Sequence, residues 1–398
     1  MSINTIVIVG AGQAGASAIL ELRQNKYDGK IILIGNEAHL PYERPPLSKD
    51  VILKPDETKV EILSWQKLQE LAVEVILDRQ VQKIHREIHC IALENGQQIA
   101  YDKLLLATGA SPRRLPLIDA LGNHVYTLRN LEDAQALIGV LQPNRRLILI
   151  GGGVIGLELA SSARNRGSIV TLIEAGTTLM GRCSPPILSD FLLSQHQHAG
   201  IDIRLQTQIT NAHLDGEKVV VTLDNGEELR ADAIIYGVGV IPNTQLAVNA
   251  DLDVDFAIKV NENCQTSDPD IYAAGDVATQ LRENGKYSRV ETWENANLQA
   301  AIFARHVMQI EHPKANPPWF WTDQLDMNIQ LAGDITVNDW KIIHLDEPKH
   351  PQTSFIAYGL KDGIVVAGIT VNAAKRMRNI KKIINSQTTF EGLADSMK

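Results

Sequence analysis

Arg146-Leu147-Ile148-Leu149-Ile150-Gly151-Gly152-Gly153-Val154-Ile155-Gly156-Leu157-Glu158-Leu159-Ala160 reads as a buried strand, a glycine turn and an apolar helix. Gly151, Gly153 and Gly156 fall on the G-x-G-x-x-G spacing. The first glycine makes the tight turn, the second lets backbone N–H groups approach a pyrophosphate, and the third lets helix and strand pack closely. The next strand, Ser168 to Ile173, ends on Glu174. An acid ~20 residues past the glycines is placed to accept a ribose 2′-hydroxyl.

The N-terminus carries a second copy. Thr5 to Val9 is a short β-branched run, Gly10-Ala11-Gly12-Gln13-Ala14-Gly15 repeats the glycine spacing, Ala16 to Gln24 reads as a helix, and Lys30 to Gly35 as a strand followed by Glu37. Further features repeat in order. The first copy continues into a hairpin at Glu94-Asn95-Gly96 and a buried strand, Leu104 to Ala110, that ends in Thr-Gly. The second continues into a hairpin at Asp224-Asn225-Gly226 and the strand Ala233 to Gly239. Two successive dinucleotide-binding folds imply two nucleotides. The fold class is therefore α/β, two Rossmann-like domains. The composition changes at Pro317, and strand-like segments closed by a basic helix at Asn372 to Asn385 make residues 319–398 a separate α+β domain.

The 398 residues provide ample core, with 44% hydrophobic and 21% charged residues. A net charge of −9 argues against a general nucleic-acid binder. Cys90, Cys183 and Cys264 are too few and too scattered for a disulfide framework or a cysteine-rich metal site. Among the histidines only His196-x-His198 suggests a metal pair, and two solvent-exposed helix histidines are the expectation there. With no basic leader and no long apolar span, the sequence reads as a soluble cytoplasmic protein.

Ala107-Thr108-Gly109 and Ile271-Tyr272-Ala273-Ala274-Gly275-Asp276, set on two dinucleotide folds, resemble the FAD- and NAD(P)-dependent pyridine-nucleotide oxidoreductases with a glutathione-reductase-like fold. Tyr42-Glu43-Arg44-Pro45-Pro46-Leu47-Ser48-Lys49, Val290 to Ala296 and Trp321-Thr322-Asp323-Gln324 resemble the ferredoxin and rubredoxin reductases, closest to the reductases of aromatic-ring dioxygenases of the biphenyl and phenylpropionate type. The resemblance implies a discontinuous FAD domain, residues 1–110 with 240–318, and an NAD domain at 111–239. It assigns Gly10, Gly12, Ala14 and Gly15 to the FAD pyrophosphate, Glu37 to the adenosine ribose, Val81 to the adenine, Asp276 to the ribitol chain, and Lys49 to the flavin ring. Arg44, Arg129, Ala107, Thr108, Gly109 and Trp293 are further implied FAD contacts. Gly151, Gly153, Val154, Ile155, Gly156, Glu174, Arg182 and Gly239 are the implied NAD residues.

Related disulfide reductases require a Cys-x4-Cys pair after the first βαβ unit, and NADH peroxidases one cysteine. Leu40 to Val51 has none, so electrons leave for an external acceptor rather than a protein thiol. Glu174, with no arginine in Ala175-Gly176-Thr177-Thr178, favours NADH over NADPH. The resemblance makes Lys49 and Glu158 the candidate catalytic residues. Glu158 has two readings, a group beside the nicotinamide or a helix carboxylate satisfied by the dipole. Arg182 likewise reads as an NAD contact or a surface arginine, and Trp321 as a flavin-edge or a core residue. Lys375, Arg376, Arg378, Lys381 and Lys382 form either a docking patch for an acidic [2Fe-2S] ferredoxin of Rieske type or a solvated helix face. The expected activity is that of an NADH-dependent ferredoxin reductase in a multicomponent dioxygenase. A rubredoxin reductase and an NADH-sensing binding protein like apoptosis-inducing factor are the alternatives.

Overall fold

The computed structural model describes residues 3–282, 285–313, 316–345 and 353–396. The chain forms two compact units. One comprises Met1–Glu43, Lys59–Ser111 and Val240–Ala315; the other comprises Arg44–Thr58, Pro112–Gly239 and Asn316–Lys398. The helices that matter here are α1 (Gln13–Gln24), α2 (Val154–Asn165), α3 (Pro186–His198), α4 (Trp293–Val307) and α5 (Ala374–Asn385).

The first unit is built on a parallel five-stranded sheet, in the order Ile271–Ala273, Lys103–Leu106, Thr5–Val9, Lys30–Ile34, Val73–Ile76. Val7 stands opposite both Ile32 and Leu104. Alternation sends Ile6 and Ile8 to one face, where Ile19 and Leu22 of α1 and Phe303 of α4 cover them. Val7 and Val9 go to the other face, beneath Val81, Ile84 and Ile91 of a three-stranded antiparallel sheet. Both faces are buried, which is why the strands read as unbroken apolar runs.

The second unit repeats the plan. Its parallel order is Asp202–Arg204, Ile169–Ile173, Arg146–Ile150, Ala233–Tyr236, Val125–Tyr126, with an antiparallel three-stranded sheet beside it. The same unit holds a five-stranded antiparallel sheet, Trp319–Gln324, Met327–Gly333, Ile364–Val371, Phe355–Lys361, Asp339–His344. On it lies α5, through Met377, Ile380 and Ile383.

Among the strands that go beyond the sequence reading, two bear on the site and its neighbours. Ile209–Asp215 makes the Asp224-Asn225-Gly226 hairpin three-stranded. Trp319–Gln324, read only as an aromatic cluster with a motif, is an edge strand turned into Met327–Gly333 by Leu325 and Asp326, at φ +49° and +60°. A two-residue hairpin with both φ positive normally signals itself by Asn-Gly, and Leu-Asp hides it.

Candidate nucleotide sites

In the first unit Gly10, at φ +119°, is placed where a side chain would strike the Ala107 carbonyl. A side chain at Gly15 would strike the Gly10 carbonyl, so only glycine lets α1 start this close to the strand. Around Gly12 there is open space, and no side chain caps the α1 N-terminus. Its first-turn N–H groups therefore keep their bonding capacity for an anion. Glu37 is half-buried and accepts the Tyr42 hydroxyl at 2.5 Å. Val81 is buried at the start of its strand. The Ala107-Thr108-Gly109 crossing is stitched by Asn243, whose Nδ2 donates to the Thr108 carbonyl (2.8 Å) and whose own carbonyl accepts from Thr108 Oγ1 (2.9 Å). Asp276 follows the Ile271–Ala273 strand, and Trp293 opens α4, whose N-terminus Thr292 caps by accepting the Asn295 N–H.

The second unit reproduces the turn. Gly151 is at φ +106° against the Gly237 carbonyl, Gly156 is closed against Gly151, Gly153 faces open space, and no side chain caps α2. Ile155 is 40% exposed in that first turn, beside Val154. Glu174 is fixed by two backbone donors, Gly152 N–H to Oε2 and Gly176 N–H to Oε1, both at 2.6 Å. Each oxygen retains a lone pair for a further donor. The Arg182 guanidinium lies over Gly239, at φ +102°. Arg44 and Arg129 come together, the Arg44 Nη1 donating to the Arg129 carbonyl at 2.5 Å.

Glu158, one turn into α2, is 4% exposed. Its Oε1 accepts from Lys49 Nζ (3.2 Å) and Thr322 Oγ1 (2.7 Å), and its Oε2 from Ser48 Oγ. Lys49, with 13% of its side chain exposed, also meets Asp323 at 3.2 Å, and Asn328 holds Asp323 at 2.7 Å. Of the two readings of Glu158, the carboxylate satisfied by its own helix N-terminus gives way: its partners are side chains from elsewhere in the unit. The network continues. Gln324 Nε2 donates to Thr322 Oγ1 (3.0 Å), and Gln324 Oε1 is 2.9 Å from His196 Nε2.

That position corrects the expectation for the histidine pair. His196 is completely buried, while His198 is exposed. Burial pushes the His196 imidazole below its usual range, against an opposing pull from the Gln324 bond. Its Nδ1 has no partner among the described residues. Among the described residues no three His, Cys, Asp or Glu side chains gather into a metal site.

These paired glycine turns have counterparts in known proteins. The pyridine nucleotide-disulphide oxidoreductase family matches residues 4–300, and a reductase C-terminal family matches residues 319–396. The chain belongs to the pyridine nucleotide-disulphide oxidoreductases. This oxidoreductase is 44% identical over 381 residues, 96% of each chain, to the 3-phenylpropionate/cinnamic acid dioxygenase ferredoxin–NAD(+) reductase component of Photorhabdus laumondii subsp. laumondii. It is similar to the putidaredoxin reductase of a covalent putidaredoxin reductase–putidaredoxin complex, at TM-score 0.90 and 33% identity, covering 96% of this chain and 93% of that one. The ferredoxin reductase for the CYP199A2 system from Rhodopseudomonas palustris matches at TM-score 0.90 and 34% identity, covering 97% and 96%.

Several residues that brace these turns in this oxidoreductase escaped the sequence reading. Ser161 and Ser162 lie three and four residues past Glu158, on the same face of α2. Ser162 Oγ donates to the Ser48 carbonyl at 2.6 Å, and Ser161 Oγ accepts the Leu325 N–H at 2.8 Å. A Glu-x-x-Ser-Ser spacing on a helix destined for burial was the available signal. In the first unit Gln13 Nε2 donates to Asn297 of α4 at 2.8 Å, and Ser17 Oγ donates to the same oxygen. Trp321 is half-buried and stacks on Trp319 (centroids 5.2 Å, planes at 22°), and Lys49 Nζ is 5.8 Å from its ring. Trp321 is therefore not a core residue.

On α5 the residues Lys375, Arg376, Arg378 and Lys382 are exposed, and Lys381 lies 4.3 Å from the Trp319 ring. Among the described residues no helix is long and apolar enough to cross a membrane.

Proposed function

We propose that this oxidoreductase takes reducing equivalents from NADH through bound FAD and delivers single electrons to a ferredoxin that serves an aromatic-ring dioxygenase. The observation that carries the proposal is the duplicated, uncapped glycine turn in a chain with no cysteine between Leu40 and Val51, where the related disulfide reductases carry theirs. Cys90 and Cys264 are buried, and burial pushes the Cys264 thiol far above its ordinary range, away from the reactive thiolate. The name of the 44% identical relative supports the choice of ferredoxin and dioxygenase.

The first unit fits a dinucleotide. Its Gly12 cradle is open, its α1 N–H groups are uncapped, and Arg289 Nη2 and Gln13 Oε1 are buried without partners among the described residues. In this reading Gly10, Gly12, Ala14 and Gly15 bind the FAD pyrophosphate, Glu37 and Val81 the adenosine end, and Asp276 the ribitol chain, within an FAD domain of residues 1–110 and 240–318. When bound, FAD supplies the exchange between two-electron and one-electron chemistry. In the NAD domain, residues 111–239, the first-turn N–H groups of α2 bind the NADH pyrophosphate. Glu174 accepts a ribose hydroxyl and repels a 2′-phosphate. Ile155 and Arg182 border the nucleotide. Ser48, Lys49 and Thr322 hold the Glu158 carboxylate still, so that it orients a ligand rather than wandering. The reaction takes place in the cytoplasm, with its NADH supply.

The exposed cations of α5 carry no acid between them and meet an acidic ferredoxin electrostatically. Steady-state reduction of purified [2Fe-2S] ferredoxins with NADH and NADPH tests the proposal. A higher kcat/KM with NADH is expected. NADPH preference would overturn the nucleotide assignment, and reduction of a rubredoxin but of no ferredoxin would overturn the acceptor.

A further inference from the structure

The Ile271–Ala273 strand runs out into Gly275 and Asp276, and this turn is gripped from two sides within the first unit. Gln299 of α4, 1% exposed, accepts the Gly275 N–H on Oε1 at 2.8 Å. Gln299 is anchored in turn: its Nε2 lies 3.4 Å from Gln280 Oε1, and Gln280 Nε2 donates to the Glu262 carbonyl at 3.0 Å. From the other side Arg289 Nε donates to the Asp276 carbonyl at 2.8 Å, while its Nη1 pairs with Glu291 at 2.8 Å and its guanidinium lies over the Phe256 ring. Gly275 is at φ +81°, and a Cβ there would stand 3.2 Å from the Ala14 Cβ, so the turn is pressed against α1 as well.

Packing alone does not call for these side chains. Gln299 sits among Ala296, Ala300 and Ala304 on the buried face of α4, where an amide is costly unless its bonds are fixed. Arg289, its side chain 13% exposed, commits its Nε to one backbone carbonyl and leaves Nη2 without an acceptor among the described residues. Both expenditures fall on the backbone of a single turn, which implies that the position of that turn matters more than the local stability it costs.

We propose that Arg289 and Gln299 are positioning residues for FAD. They fix the Gly275-Asp276 turn and so aim the Asp276 carboxylate, and their effect on the cofactor passes through Asp276. The inference rests on the reading of Asp276 as an FAD residue. The experiment measures the rate at which holoprotein releases FAD on dilution, followed by flavin fluorescence, for Gln299→Leu, Arg289→Gln, Asp276→Ala and the two doubles with Asp276→Ala.

Each single variant should release FAD about tenfold faster than wild type, the consequence of one lost buried hydrogen bond or contact. Each double should stay within about twofold of Asp276→Ala alone, since residues acting through one another are not additive. If Asp276→Ala releases FAD at the wild-type rate, the reading of Asp276 fails and this inference with it. Fast release by Asp276→Ala but not by Gln299→Leu or Arg289→Gln overturns the inference and leaves the reading standing. Fully additive doubles also overturn it, because the two residues would then act independently of Asp276. Should Gln299→Leu not fold, Arg289→Gln and its double decide the matter, Arg289 lying nearer the surface.

Discussion

The two glycine turns are nearly superimposable in their local logic and differ in what surrounds them. In both, a positive-φ glycine faces a backbone carbonyl, a third glycine closes helix on strand, and a twelve-residue helix starts without a side-chain cap. Five residues into α1 stands Ser17, in a neutral seam with Gln13 and Asn297. At the matching place in α2 stands Glu158, a buried carboxylate with a lysine, a serine and a threonine on it. The acids differ too. Glu37 is held by a tyrosine hydroxyl, and Glu174 by two backbone N–H groups of its own turn. The helix position that is a neutral serine seam in the first copy is a fixed charge in the second. That contrast suits a nucleotide that stays in the first unit and one that arrives, is sorted and leaves in the second.

Alanine at the first glycine of each copy gives the largest expected effect. Gly10→Ala and Gly151→Ala each force a Cβ into a backbone carbonyl at positive φ, costing about 3 kcal/mol or more from strain and overpacking together. Gly10→Ala should purify depleted of FAD. Gly151→Ala should keep its flavin and lose saturation with NADH. Equal flavin loss in both, measured by absorbance per protein, would break the division of labour between the turns.

Removing the charge that distinguishes the copies comes next. Glu158→Gln leaves Lys49 with Asp323 alone, and should cost about 2–3 kcal/mol, somewhat below a wholly buried pair broken on one side. Ser17→Ala should cost only about 1 kcal/mol. Urea midpoints give both values, and NADH-driven dye reduction should fall in Glu158→Gln but hold in Ser17→Ala. Equal losses would mean that the buried charge is merely structural.

Nucleotide choice sharpens the contrast further. Glu174→Ala should erode the preference for NADH over NADPH by about tenfold, through the lost ribose acceptor and the lost repulsion. Glu37→Gln keeps an oxygen for Tyr42 and should leave that preference alone. If Glu37→Gln shifts the preference, the two acids do not serve separate nucleotides.

How far the sequence carried this depends on how local each signal was. The strands, both glycine turns and the Asn-Gly hairpins follow from residues within a few positions of one another. So does the placement of α5, predicted within two residues of its start. The Glu158 network was not legible in the same way, because its donors come from residues 48, 49 and 322 and nothing local joins them. His196 shows the same limit from the other side. A histidine between glutamines on a helix reads as solvated, and only tertiary packing brings Gln324 against it.

His196 ends that network, and it supplies the smallest effect and the one that isolates its far end. Burial holds its folded-state pKa below the unfolded value, so at mildly acidic pH the unfolded chain takes the proton first. The contribution of neutral His196 is therefore complete above about pH 6.5 and shrinks as pH falls through that value, by at most about 1.4 kcal/mol per pH unit. His306 shifts in the same direction, so the wild-type curve alone does not single out His196. The difference between wild type and His196→Gln does. The variant should be less stable by about 1 kcal/mol near pH 7.5, having lost the bond to Gln324 and some packing, and the gap should close toward pH 5.5. A gap in Tm that stays constant or widens on acidification would show that His196 is charged in the folded protein. The polar chain running from Glu158 would then end on a buried cation rather than on a neutral ring.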